Sequence, residues 1–109
     1  MNLEEAKEWI SKSCGQGWLP LVEEIYDRVP KSTNISSIYQ KWGALHFDAA
    51  PWSDCLDTIH EEIEERSMRV CEICGQTGKE AKIDDWIHTR CTNHDKQKNF
   101  EQGGTGQRR

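Results

Sequence analysis

The chain has 109 residues, 35% of them hydrophobic and 30% charged, with a formal net charge of −5. That bounds it to one small polar domain, or a helical body carrying a metal-stapled appendix. No apolar run approaches the roughly 20 residues of a membrane helix, and the acidic, amphipathic start Met1-Asn-Leu-Glu-Glu-Ala-Lys7 is unlike a secretory signal. The expected setting is a reducing cytosol. Charge is uneven, −6 over residues 1–70 and +1 over residues 71–109, which lacks the basic footprint of a duplex DNA binder.

In chain order, Asn2 with Glu5 forms a capping box, and Leu3, Ala6, Ile10 and Ser13 share a face, so a helix is expected up to a stop at Gly15. A second helix is expected over Leu19–Arg28. Pro20 fits its first turn, and Trp18, Leu21, Val22, Ile25 and Val29 make an amphipathic stripe. Ile35, Ile38, Tyr39 and Trp42 fit a short helix stopped by Gly43, followed by one strand around Leu45 and Phe47. The longest helix is expected from Trp52 to Val70, with Pro51 at its first position. Its stripe of Trp52, Leu56, Ile59, Ile63 and Val70 lacks one apolar member near Arg66-Ser67. The five tryptophans are expected to enlarge a modest core.

The strongest chemical signal lies at Cys71-x-x-Cys74-Gly75 and Cys91-x-x-His94, with sixteen residues between Cys74 and Cys91. A two-residue gap lets one tight turn aim both members of a pair at one ion, and four such donors make a closed tetrahedral site for one structural Zn²⁺ per chain. Gly75 suits a knuckle that turns with positive φ while backbone N–H groups face the thiolates. His88 is an alternative to His94 as the fourth ligand. Two short strands around Ala81–Ile83 and Trp86–Thr89, and a helix start at the second pair, complete a zinc-ribbon or treble-clef plan. The fold class is therefore α+β: a mainly helical body with one short strand over residues 1–70, a zinc module over 71–98, and a disordered tail over 99–109. Cys14 and Cys55 read as buried thiols, His46 and His60 as ordinary side chains, and a thioredoxin-like role for Cys71 and Cys74 is disfavoured because a helix ends there.

A closed ligand set argues against a catalytic metal. Asp54, Asp57, Glu61, Glu64 and Glu65 line the polar side of the long helix, either as a solvated face or as a surface for a basic partner. Arg90, Lys96, Lys98, Arg108 and Arg109 flank the zinc module, and Trp86 is available to stack on a base, so nucleic-acid binding is a second reading. An HNH-like, metal-dependent nuclease is a third, with His88, Asn93 and Asp95 nearby but little room for its loop. No small-molecule substrate is evident.

Gly17-Trp18, the segment Trp42-Gly43-x-Leu45-x-Phe47, and the ending Cys71-x-x-Cys74-Gly75 with Trp86-Ile-x-Thr89-x-Cys91-x-x-His94 together resemble a group of small proteins encoded by bacteriophages and prophages. The resemblance spans residues 17–95, and Arg90 stands where that group would place an apolar residue. It implies a virus-encoded accessory protein of the bacterial cytoplasm that binds a host protein stoichiometrically and without turnover. An anti-defence role, such as an anti-CRISPR inhibitor, is one form of this. The acidic helix, Trp86 and Arg90 would then be candidate contact residues.

Overall fold

The computed structural model describes residues 1–96. The proposed tail at 99–109 and the last two residues of the proposed zinc module lie outside them. The elements are α1 (Leu3–Ser13), α2 (Leu19–Arg28), β1 (Asn34–Lys41), β2 (Ala44–Ala50), α3 (Asp54–Ser67), β3 (Lys79–Ile83) and β4 (Trp86–Arg90). The chain is α+β, but its body is a helix–hairpin composite rather than mainly helical.

α1 begins as its sequence dictates. The Asn2 side chain accepts from the Glu5 backbone N–H at 2.8 Å, and the Glu5 carboxylate accepts from the Asn2 N–H at 2.9 Å. Two otherwise unpaired donors of the first turn are thereby satisfied. α2 starts with Pro in its first turn and buries Leu21, Val22 and Ile25.

The segment 34–50 overturns the expected helix: β1 and β2 form an antiparallel hairpin. The reason is a bulge. Register shifts between Ile35 and Ser37, and one extra residue reverses which face the next side chain occupies. Ile35 and Ile38 therefore both point inward although three positions apart, a spacing that imitates a helix. Trp42 and Gly43 have φ of 58° and 77°, the left-handed pair of a two-residue hairpin turn. Gly43 is a turn residue rather than a helix stop.

Ala50-Pro51 is cis, and Pro51 precedes the helix instead of opening it; Ser53 holds the N-cap position of α3 without a side-chain capping hydrogen bond. The gap in its apolar stripe is Ser67, which is fully buried. Its hydroxyl accepts from the Leu45 backbone N–H at 2.8 Å and donates to the Glu64 carbonyl at 2.7 Å. A methyl group there would leave a buried N–H unpaired.

The three helices close over the inner face of the hairpin. One core joins Ala6, Ile10, Trp18, Val22, Ile25, Ile35, Ile38, Leu45, Phe47, Leu56 and Ile63. Of the five tryptophans, only Trp18 is buried; Trp9, Trp42, Trp52 and Trp86 are exposed. Cys14 is buried as expected, whereas Cys55 is exposed. No described helix is long and apolar enough to cross a membrane.

Candidate metal centre

After α3 the chain doubles back on itself. The Cys71 N–H donates to the Gln76 carbonyl at 2.7 Å, Gly75 donates to the Cys71 carbonyl at 2.9 Å, and Gly78 donates to the Arg69 carbonyl at 2.9 Å. Gly75 sits at φ +85°, the left-handed conformation that a side chain would penalise. This knuckle is the one expected from the Cys-x-x-Cys-Gly spacing, and a backbone N–H at Gln76 bonds the Cys74 sulfur.

β3 and β4 pair antiparallel through a turn at Asp84-Asp85, both at positive φ. β4 carries the chain to Cys91. The second pair is held by a turn in which the His94 N–H donates to the Cys91 carbonyl at 3.0 Å. Among the described residues no helix starts here, unlike the expected plan.

The ligand atoms of Cys71, Cys74, Cys91 and His94 all lie within 4.8 Å of one another. Cys74 Sγ is 3.6 Å from Cys91 Sγ, and His94 Nδ1 is 3.7 Å from Cys71 Sγ and 3.2 Å from Cys91 Sγ. A tetrahedral ion with metal–sulfur bonds of about 2.3 Å and metal–nitrogen bonds of about 2.0 Å needs edges of roughly 3.8 and 3.5 Å. These three separations are close to those edges, and the four donors are near enough together to hold a metal ion. Burial raises the Cys91 thiol, but N–H groups of Asn93 and His94 and the neighbouring sulfurs outweigh it, so it ionises more readily than usual. For Cys74, the Gln76 N–H lowers the value, while burial and the Cys91 and Cys71 sulfurs carry it net upward. A bound cation would favour the thiolate form of these ligands.

His88 is not part of this cluster. Its Nδ1 lies 2.8 Å from Glu72 Oε2, so the ring is engaged with that carboxylate.

Arg90 is buried too. Only 1% exposed, it pairs with Glu72, also 1% exposed, through Nε at 3.2 Å and a terminal nitrogen at 3.1 Å. Its other terminal nitrogen donates to the His94 carbonyl at 3.1 Å. Arg90 therefore ties the residue next to Cys71 to the loop bearing His94, bracing both ligand pairs. The surface contact expected of Arg90 is corrected: the side chain faces inward because a buried carboxylate demands a partner. Glu72 went unnoticed in the sequence, where only its place between two ligands could have flagged it.

The module is fastened to the body by backbone contact. The Gly17 N–H donates to the Glu72 carbonyl at 2.9 Å, and the Trp18 indole donates to the Val70 carbonyl at 2.9 Å. A Cβ on Gly17 would lie 2.0 Å from the Cys71 oxygen and 2.6 Å from the Gly75 nitrogen. On the other side, the Thr89 hydroxyl donates to the Gly43 carbonyl at 2.6 Å.

The remaining candidates sit elsewhere. Asp54, Asp57, Glu61 and Glu65 are exposed on α3 and Glu64 is half-buried. Asp57 accepts from the Trp52 indole at 2.7 Å, Glu65 pairs with Arg69 at 3.2 Å, and Glu64 lies 3.8–3.9 Å from His46 and His60. Trp86, 50% exposed, does not cover the metal centre; its indole donates to Gln40 at 2.5 Å. Compared with known proteins, this chain matches no protein-family model, no curated protein and no solved structure.

Proposed function

We propose that this chain is a non-enzymatic, zinc-stapled interaction protein of the phage accessory type, which binds a host protein and modulates it. The observation that carries the reading is the completeness of the donor set. Three sulfurs and one imidazole nitrogen fill a tetrahedral shell, which leaves no position for a metal-bound water and makes Zn²⁺ a structural ion of a ribbon-like module. The chemistry left to the surface is then recognition. Exposed carboxylates at Asp54, Asp57, Glu61 and Glu65 form one face of α3, suited to occupying a basic groove by electrostatic complementarity. An anti-defence target, such as a nucleic-acid-handling effector, offers such a groove. The burial of Arg90 removes one of the cations on which a nucleic-acid reading rested.

The test is capture from bacterial lysate with the metal-loaded chain, beside a variant carrying Asp54→Asn, Asp57→Asn, Glu61→Gln and Glu65→Gln. A specific protein retained by the first and lost by the second is expected. Retention of nothing, or of nucleic acid alone, overturns the proposal.

A further inference from the structure

A cleft of about 270 Å³ opens where α1, β1 and β4 meet, with Glu72, the neighbour of Cys71, in its lining. Its walls are aromatic: Trp9 from α1, Tyr39 from β1 and Trp86 from β4. Trp9 and Trp86 are 56% and 50% exposed, so large apolar surfaces stand unused at the rim. Cavities for drug-sized ligands run to about 300–1,000 Å³, and this one admits a single side chain.

The polar lining is one-sided. The Ser13 hydroxyl donates to the Trp9 carbonyl, the Tyr39 hydroxyl to Asp48 at 3.4 Å, and the Trp86 indole to Gln40. The Gln40 amide donates to the Ile87 carbonyl at 3.0 Å and to Glu72 at 3.2 Å. His88 faces Glu72 through Nδ1. The same nitrogen lies 3.2 Å from the Gln40 amide nitrogen and 3.4 Å from a terminal nitrogen of Arg90. These donors are turned inward, and lone pairs of the Ser13 and Tyr39 hydroxyls remain. Of the two indoles that line the cleft, that of Trp86 is engaged and that of Trp9 keeps an N–H without a partner among the described residues.

A lining of aromatic faces and acceptors, on a body of net −6 over residues 1–70, selects a planar cation rich in donors. A guanidinium stacks on indole and phenol faces and offers five N–H groups. A nucleotide would bring unmatched acceptors and a repelled phosphate. We infer that this cleft receives one arginine side chain of the protein partner. The inference rests on the interaction-protein reading above and names the partner's anchoring residue.

The experiment titrates N-acetyl-arginine methylamide into the metal-loaded full chain while recording the indole N–H resonances. N-acetyl-citrulline methylamide serves as the neutral isostere and adenosine monophosphate as the nucleotide probe. Saturable shifts of Trp9 and Trp86, with Trp42 and Trp52 unmoved, are expected. Binding should be at least about fivefold tighter than for citrulline, and about fivefold weaker in Trp9→Ala. Absent or linear shifts, equal response to citrulline, or a stronger response to the nucleotide overturn it. The isostere comparison uses only the unmodified chain, so it decides the matter even if Trp9→Ala misfolds. A lysate partner whose capture survives Trp9→Ala, together with no arginine binding, sinks the cleft and leaves the interaction reading standing. Arginine binding with no captured protein does the reverse.

Discussion

The body and the metal module solve the same problem with opposite materials. The body buries an apolar cluster spread over three helices and a hairpin, from Ala6 to Ile63. The module buries two cysteine ligands, Ile83, Thr89 and a charged pair, Glu72 and Arg90. Some two dozen residues cannot enclose enough apolar area to offset the ordering of their chain. A cluster of donors able to hold a metal ion and a braced ion pair stand in place of a core there. The difference makes the module's stability, as proposed, conditional on an ion and on a partner for each charge, and the body's independent of both.

Metal removal is the sharpest probe of that contrast. Chelation, or Cys71→Ser, should lower the thermal midpoint by more than about 10 °C. Hydrogen exchange should accelerate at Thr89 and Arg90 while Leu45 and Phe47 stay protected; uniform loss of protection would erase the distinction between the two regions. Next comes the ion pair. Arg90→Met leaves a buried carboxylate with only the His88 and Gln40 side chains beside it and should cost about 3 kcal/mol in urea unfolding, of which Glu72→Leu added to it should restore roughly half. If the single change proves harmless, Glu72 is already neutral or hydrated in the native fold. Gly17→Ala tests the seam between the regions and should cost about 2–4 kcal/mol, because the intruding methyl meets backbone that cannot move aside.

The smallest effect belongs to the body. Burial lowers the His46 pKa from the ordinary 6.5; Glu64 opposes this, His60 adds to it, and the Lys41 carbonyl opposes it. The unfolded chain therefore takes up a proton first as pH falls. Stability attached to this group is complete above pH 6.5 and declines as pH drops through the lowered value. Comparing metal-loaded wild type with His46→Gln isolates this from ligand protonation, since both share the metal centre. The variant should show the shallower acid slope.

The parts legible in the sequence are those encoded over a few residues. Asn2 and Glu5 define a helix start by their own hydrogen bonds, and the Cys-x-x-Cys and Cys-x-x-His spacings define a ligand set before any fold exists. Segment 34–50 is not legible as a hairpin because the bulge at Ser36 gives a strand the periodicity of a helix, and because Trp42 stands where Asn or Asp would announce a hairpin turn. Ser67 looked like a defect in a stripe, since its acceptor role depends on a backbone N–H in another element. Arg90 read as surface charge for the same reason: its partner Glu72 is eighteen positions away, and their burial is a property of the assembled module. Exposure of four tryptophans was equally illegible, because an indole is suited both to cores and to recognition surfaces.

The Gly17–Trp18 seam also bears on the order of assembly. Cys71 and His94 are 23 positions apart, whereas Trp18 and Val70 are separated by 52. The shorter loop loses less entropy on closing, so the ligand loop can capture its ion while still detached, and docking on the α1–α2 turn comes later. With Co²⁺ as a coloured substitute, thiolate-to-metal absorbance should rise before Trp18 fluorescence reports burial. A reversed order would mean that the body templates the knuckle.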